Sequence, residues 1–547
     1  MGNISSYFKR DFFSDLKAGF ITAVVALPLA IAFAIASGVS PIMGIYTAII
    51  AGVLASLIGG SKFSITGPTG AMTVIILSTL NKFGLEGLML AGFLSGVMLI
   101  IFGVVKLGKV VKFIPLPIIS GFTAGIGVII FIGQIPNFLG IKVLPHEHVW
   151  DTLFEIFKSL NLINYIAIAI AAVTILLLVF LPKILFKIKY LKNIPASFVA
   201  LVLAISFVFF THASVPLVGE IPIGIPDFNF VNINFELVKA VLPAAFTIAL
   251  LGAIESLLCA VVADGMTSTK HNSNKELIGQ GVVNVIIPFF GAIPATAAIA
   301  RTAVNIKEGA RTRFAGVYHA LFLLIIVVFF GSVAMYMPMP FLAGVLMFVS
   351  FRMINFKEFR TIMHISKADT VVLFVTFLLT IFTNLVFAVQ VGMFAAIFLL
   401  FIRLTDMINI SSHLDLEEYD SGDGRVKQLP KEIKDKVNVY TINGPFFFGA
   451  MNVFDDKVSE EINLQKKYFI LRMRHVPFID STGVERLKTF IQKQKKRKVV
   501  VLMTGLKPEV YAKLFADAEF KHIMDKKYLF DRTSEALHYV EFIHNEK

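Results

Sequence analysis

Three residues, Glu255, Arg301 and Thr69, have types and settings from which a chemical site can be built. Glu255 stands inside an apolar run, LLGAIESLLCAVVA at 250–263, and Arg301 follows a second apolar run that breaks at Gly291-Ala292-Ile293-Pro294. An ionisable group in a bilayer is costly unless it is paired or lines a watered cavity, which makes Glu255 a functional candidate. A span broken by glycine and proline leaves helix-end amides free at mid-membrane, where they hold ions. The stretch 250–313 therefore reads as half of a binding site for a small anion.

The other half lies at 59–72, GGSKFSITGPTGAM. Ser61 to Thr66 alternates in β fashion, and Gly67-Pro68 then makes a turn with proline placed to start a helix near Thr69-Gly70-Ala71. Pro294 plays the same part in the second half, with a helix starting near Thr296 or Ala297. Two such helix ends facing one another each offer free N–H groups and roughly half a positive charge, enough to attract one anion.

These residues need a membrane scaffold, and the composition supplies one. Of 547 residues 56% are hydrophobic and only 16% charged, with a mean hydropathy of +0.79, well outside soluble averages. The single cysteine, Cys259, lies in an apolar run, so neither disulfides nor metal or redox chemistry has support, and no cofactor is expected. The net charge of +13 sits in short loops between apolar runs, the positive-inside pattern rather than a nucleic-acid groove.

Apolar runs occur at 15–36, 41–58, 69–80, 87–105, 117–134, 162–181 and 195–211, and again at 243–262, 277–290, 296–305, 313–334, 340–354, 368–383 and 385–403. About 20 residues are needed to span, so two of these runs are too short to cross alone. With all of them counted, about fourteen spans, the basic loops around Lys106, Lys187, Lys270, Arg311 and Lys357 fall on the side of the amino terminus. The expected location is the cytoplasmic (inner) membrane, with both termini cytoplasmic. Pro28 to Thr69 covers 41 positions and Glu255 to Ala298 covers 43, so a long span and a broken short one recur. Seven segments per half, an odd number, make this an inverted repeat whose site lies where the broken segments meet.

The expected organisation is a transmembrane domain over 1–410, a polar linker over 411–436 and a small α/β domain over 437–547. In the last, VNVYTI, YFILRMR and KVVVLMT read as strands, and FDDKVSEEINLQ, STGVERLKTFIQKQKKR and KPEVYAKLFADA as helices.

The motifs PLAIAFAIASGVSPIMGIYTAIIAG, SITGPTGAM, PLPIISGFTAGIG, ESLLCAVVADGMTSTKHNSNKELIGQG and GAIPATAAIARTAVNI together resemble the SulP anion permeases, relatives of prestin and pendrin. The tail, with FIDSTGVERL at 478–487, resembles their STAS domain. The resemblance covers nearly the whole chain. It implies a helical membrane protein of seven plus seven inverted-repeat spans, divided into core and gate, with elevator-type alternating access and a homodimeric assembly. Carried over by position, the anion site comprises Leu29, Phe33, Thr69, Ala298, Ala300 and Arg301, to which the helix starts add Gly70 and Ala297. Coupling to sodium or protons falls to Glu255, with Cys259 and Ala298 beside it, and Glu255 is a metal ligand only if sodium is the coupling ion. Sodium/bicarbonate members of the family have a hydroxyl one turn after the acid and another on the tenth span. Here those positions hold Cys259 and Ile299, which brings proton coupling forward.

Each residue also has a plainer reading. Glu255 can bond only to neighbouring helices, Arg301 can snorkel to a loop, Thr69 can be only a helix cap, and Phe33 can be packing. The loop DGMTSTKHNSNKE is read as polar and His271 as solvated, with no metal site. Asp480-Ser481-Thr482-Gly483 is read as a turn and helix cap. With no nucleophile and base at useful spacing, an enzyme is not expected. The expected function is secondary transport of bicarbonate or, second, sulfate. A dicarboxylate or nucleobase symporter, an anion exchanger, and a sensor or scaffold acting through the tail domain are the rivals.

Overall fold

The computed structural model describes residues 7, 10–109, 115–143, 149–185, 187, 194–219, 228, 234–383, 385–406, 408–412, 418–420, 426–428, 436–450, 454 and 466–545. Its contacts divide the chain into two units, Met1–Ala396 and Ile397–Lys547.

The larger unit is helical because its sequence is apolar over lengths that match a bilayer. In order come α1 (Phe12–Ala36), α2 (Pro41–Ile58), the two-residue β1 (Thr66–Gly67), α3 (Gly70–Val104), α4 (Leu116–Leu139), α5 (Val149–Lys158), α6 (Tyr165–Leu185) and α7 (Ala196–Thr211). The second half has α8 (Phe235–Thr267), α9 (Ser273–Ile286), β2 (Thr296–Ala297), α10 (Ile299–Lys307), α11 (Phe314–Ala334), α12 (Met339–Met353), α13 (Phe356–Ile365), α14 (Lys367–Phe382) and α15 (Leu385–Asp406). Gly84, at φ 67°, breaks α3 into a short first piece and a long second one. Setting aside the short amphipathic α5 and α13, fourteen helices and half-helices remain among the described residues, matching the apolar runs. Nine described stretches are long and apolar enough to cross a membrane unaided.

The helices associate as two groups. In one, α3 packs on α8 and α9, α11 on α1 and α2, and α10 on α1 and α8; in the other, α12 packs on α4 and α6, α4 on α14, and α6 on α7. Many lipid-range side chains of α6, α7, α11 and α15, such as Phe180, Phe210, Phe329 and Phe394, lie exposed, as an apolar solvent requires.

The β1–β2 pair is antiparallel, Thr66 opposite Ala297 and Gly67 opposite Thr296, and so joins the two halves of the repeat. The expected β alternation from Ser61 is shortened to Thr66–Gly67. The second helix starts at Ile299 rather than Thr296 or Ala297, because those two residues are spent on the strand.

The smaller unit carries β3 (Asn409–Ser412), β4 (Glu418–Asp420), β5 (Val426–Gln428), β6 (Val437–Asn443), β7 (Tyr468–His475), α16 (Ser481–Lys496), β8 (Val500–Thr504), α17 (Pro508–Leu514), α18 (Ala518–Ile523), β9 (Leu529–Phe530) and α19 (Thr533–Asn545). Its sheet runs β3-β6-β7-β8-β9, antiparallel at β3–β6 and parallel elsewhere, while β4 and β5 pair separately. Period-two alternation sends Leu471 and Met503 to one face, with Leu487 and Phe490 of α16, and Ile470 and Leu502 to the other, with Leu537 and Val540 of α19. Asp480 caps α16 by accepting from the Gly483 amide at 2.7 Å. Apart from Phe454, the helix expected over FDDKVSEEINLQ lies outside the described residues, as does most of the linker at 411–436.

Lys488 of α16 is sunk among Glu485, Glu519 and Asp517 at 2.7, 3.0 and 3.3 Å. Bonds to Glu485 and then Glu519 hold its ammonium above the usual lysine range. A raised lysine contributes stability that is complete below the unfolded value, near 10.4, and is lost as pH rises through the folded one. Lys488→Met is therefore expected to lower the thermal midpoint of this unit at pH 7, and the gap from the native protein is expected to shrink above about pH 11. Calorimetry of the full-length protein at the two pH values checks both.

Candidate functional site

The site is where the repeat halves meet. Each strand of the β1–β2 pair runs almost directly into a helix: β1 through Pro68 and Thr69 into α3, and β2 through Ala298 into α10. Antiparallel strands thus bring two helix amino termini together. The first amides of each helix, at Gly70 and Ala71 and at Ile299, Ala300 and Arg301, have no bond among the described residues. Thr69 and Ala298 occupy the two cap positions without side-chain capping bonds. The Ala298 amide is already used, donating to the Ile65 carbonyl at 2.8 Å.

Glu255 of α8 fastens the junction. Its Oε2 accepts from Thr69 Oγ1 at 2.8 Å and from Thr296 Oγ1 at 2.7 Å, one hydroxyl from each half. Next to it, Ser256 Oγ accepts from the Ala297 amide at 3.2 Å. One turn on, Cys259 is fully buried, with its sulfur 3.1 Å from Thr302 Oγ1, which also accepts from the Ile65 amide at 2.9 Å.

Arg301 does not snorkel. It is 1% exposed, donates through Nη2 to the Pro68 carbonyl, and has no partner for Nη1 among the described residues. Its guanidinium lies against Gly67, where a Cβ would come within 2.6 Å of Nη1. The cation therefore stands behind the strand pair, adding its field to that of the helix ends.

A polar stripe on α9 supports the junction. Glu276 Oε2 accepts from the amides of Gly60 and Ser61 at 2.7 and 2.8 Å. Gln280 Nε2 donates to Thr66 Oγ1 at 2.9 Å and to Glu276 at 3.1 Å, and Asn284 clamps both backbone groups of Ala295 at 2.9 Å. Glu276, Gln280 and Asn284 recur every fourth residue in an apolar run. That spacing places them on one face and was the sequence signal for them.

Of the residues expected at the site, Leu29 and Phe33 are buried on α1, and Phe33 reaches the space over Gly70 together with Ile130 of α4 and Met353 of α12. Thr69, Gly70, Ala297, Ala298 and Arg301 come together at the junction, and Ala300 is exposed on the first turn of α10. A cavity of about 250 Å³ reaches Ile130 and Thr73 and is bordered by Gln134 and Asn137. Sequence reasoning missed Thr296, Ser256 and Thr302. It also misread His271, whose side chain is 5% exposed and bonded to Asp264 and Ser273 rather than solvated.

A helical membrane unit with two broken segments crossed at their amino termini, plus a C-terminal α/β unit, defines a class of membrane transporters. Residues 12–376 match the sulfate permease family and 428–536 the STAS domain, and the chain belongs to the sulfate permease family. It is 38% identical to the putative sulfate transporter YvdB of Bacillus subtilis over 98% of this chain and 99% of that protein. It is 32% identical to the bicarbonate transporter BicA of Picosynechococcus over 96% of this chain and 94% of that one. The fold matches SLC26A9 with a TM-score of 0.87 over 99% of this chain and 93% of that one, at 18% identity. It matches the transmembrane domain of a cyanobacterial BicA with a TM-score of 0.63 over 71% of this chain and 98% of that one, at 32% identity.

The contact at Gly67 gives a direct expectation. Gly67→Ala forces the Arg301 guanidinium away from the strand pair and is expected to raise the KM for the transported anion about tenfold, equivalent to about 1.4 kcal/mol, with expression unchanged. Thr296→Val removes one of the two hydroxyls on Glu255 and is expected to cost about 1–3 kcal/mol of stability. Anion uptake and thermal unfolding of the purified variants check these.

Proposed function

We propose that the chain is a secondary active transporter of a small inorganic anion, bicarbonate ahead of sulfate, and that protons drive it through Glu255. The observation that carries this reading is the single carboxylate oxygen shared by Thr69 and Thr296 at the meeting point of two helix amino termini. The helix ends and Arg301 make the junction positive, and ionised Glu255 offsets part of that charge. Neutralising Glu255 by a proton strengthens the pull on an anion, and by reciprocity a bound anion favours the proton by the same factor.

A proton fits better than sodium because the position one turn after the acid holds the Cys259 sulfur. Sulfur is a soft ligand, and alkali and alkaline-earth cations are bound by oxygen. Sodium is the second reading, favoured by the three oxygens of Glu255, Thr69 and Thr296 that converge there. Bicarbonate is preferred because the second helix start, Ala297-Ala298-Ile299-Ala300, adds no side-chain donors to satisfy a doubly charged ion. Of the relatives above, one is named for bicarbonate and another for sulfate, which supports both substrate classes as candidates.

The two helix groups support alternating access, with the junction on one and Ile130 and Met353 of the other covering Gly70. In this reading the first group moves past the second as an elevator. The protein is a homodimer of the inner membrane with both termini cytoplasmic, and 1–410, 411–436 and 437–547 act as transport domain, linker and STAS domain.

Radiolabelled bicarbonate and sulfate uptake into proteoliposomes tests this. A pH gradient, acid outside, is expected to drive accumulation of bicarbonate, a sodium gradient alone is not, and Glu255→Gln is expected to leave only gradient-independent exchange. Accumulation that follows sodium and ignores pH would overturn the proton reading, and accumulation unaffected by Glu255→Gln would remove Glu255 from coupling.

A further inference from the structure

The turn between α8 and α9 assembles a second, separate set of reactive groups. Asp264, in the last turn of α8, accepts through Oδ2 from His271 Nδ1 at 2.7 Å and from the His271 amide at 2.9 Å, and through Oδ1 from Thr269 Oγ1 at 3.2 Å. With Nδ1–H committed to the carboxylate, His271 Nε2 is left as an acceptor, and Ser273 Oγ stands 2.9 Å from it. The carboxylate thus fixes both the tautomer and the orientation of the imidazole, and the imidazole faces a hydroxyl.

Ser273 is also the first residue of α9. The amides of Ser273 and Asn274 have no partner among the described residues, whereas those of Lys275 and Glu276 bond to Asn272. Two free amides, on the serine and on the residue after it, point from a helix start, where negative charge is stabilised. Gly108 stands over them: its amide donates to Asn274 Oδ1 at 3.1 Å, and a Cβ there would come within 3.0 Å of the Asn274 nitrogen. Glycine leaves that amide uncovered. Capping does not account for the arrangement, because Asn272 already caps α9 and the Ser273–His271 bond adds nothing to the cap.

We propose that Ser273 is an activated nucleophile that takes acyl or phosphoryl groups from activated esters, with His271 as its base and Asp264 as the residue that positions the base. Oγ attacks the carbonyl carbon or phosphorus as its proton passes to His271 Nε2, and the developing oxyanion lies on the amides of Ser273 and Asn274. The new bond is from Oγ to carbon or phosphorus; the bond broken is to the leaving alcohol or thiol, which takes the proton from His271. Water entering by the reverse route frees the acid and restores the serine. The set shares no residue with the anion site and works independently of transport.

The test is a fluorophosphonate applied to the purified full-length protein, in which the Oγ–P bond forms and hydrogen fluoride leaves, read by intact mass and peptide mapping. One label per chain at Ser273 is expected, lost in Ser273→Ala and slowed at least about 100-fold in His271→Gln, the range a general base supplies. Gly108→Ala, whose Cβ would come within 2.9 Å of the Ser273 carbonyl carbon and 3.0 Å of the Asn274 amide, crowds the two free amides and is expected to slow labelling in the folded protein. Absence of label at Ser273 in the folded native protein, or labelling at an undiminished rate in either His271→Gln or Gly108→Ala, would overturn the proposal.

Discussion

Two helix amino termini held end to end in a medium without water repel one another, and the short β1–β2 ladder is what keeps them together. The repulsion is small: two half-charges about 8 Å apart at an effective dielectric of about 20 cost about 0.5 kcal/mol. A net hydrogen bond contributes about 1 kcal/mol, so the ladder and its neighbours outweigh it. Thr69 and Thr296 bond to one carboxylate oxygen, Ser256 holds Ala297, Thr302 holds Ile65 and Gln280 holds Thr66. The charge imbalance is what remains, and in the proposed function a small anion relieves it.

This junction explains the distribution of polar residues in the membrane unit. Glu255, Glu276, Gln280, Asn284 and Arg301 all lie on helices that touch the strand pair or the segments leading into it. Elsewhere in the long spans buried polar side chains are fewer, Gln134 and His319 among them, and the hydroxyls of Thr22, Thr174 and Thr376 return to carbonyls of their own helices. Polar groups are thus concentrated where the backbone is irregular, since only there does the chain have unpaired amides to serve.

The spans were legible in the sequence because length and hydropathy are local properties. The broken segments were also legible, because Gly67-Pro68 and Pro294 mark helix starts by their own backbone restrictions. The antiparallel register was not: whether Thr66 meets Ala297 or a neighbour depends on how the other spans pack. For the same reason Glu255 was recognised from its unusual setting, but its second partner, Thr296, was not. His271 shows the opposite failure. Its polar surroundings suggested a solvated side chain, whereas Asp264 and Ser273, seven residues before and two after, fold back to enclose it. The E-x₃-Q-x₃-N stripe of α9 could have been read from period alone.

The central claim is that the anion lies between the two helix starts. Anomalous diffraction from crystals grown in bromide tests it most directly, since the ion's position is then read without reference to the protein model. The account predicts the strongest peak within hydrogen-bonding distance of amides from both helix starts, Gly70 or Ala71 on one and Ile299 or Ala300 on the other. A strongest peak remote from both, with none at the junction, would contradict it.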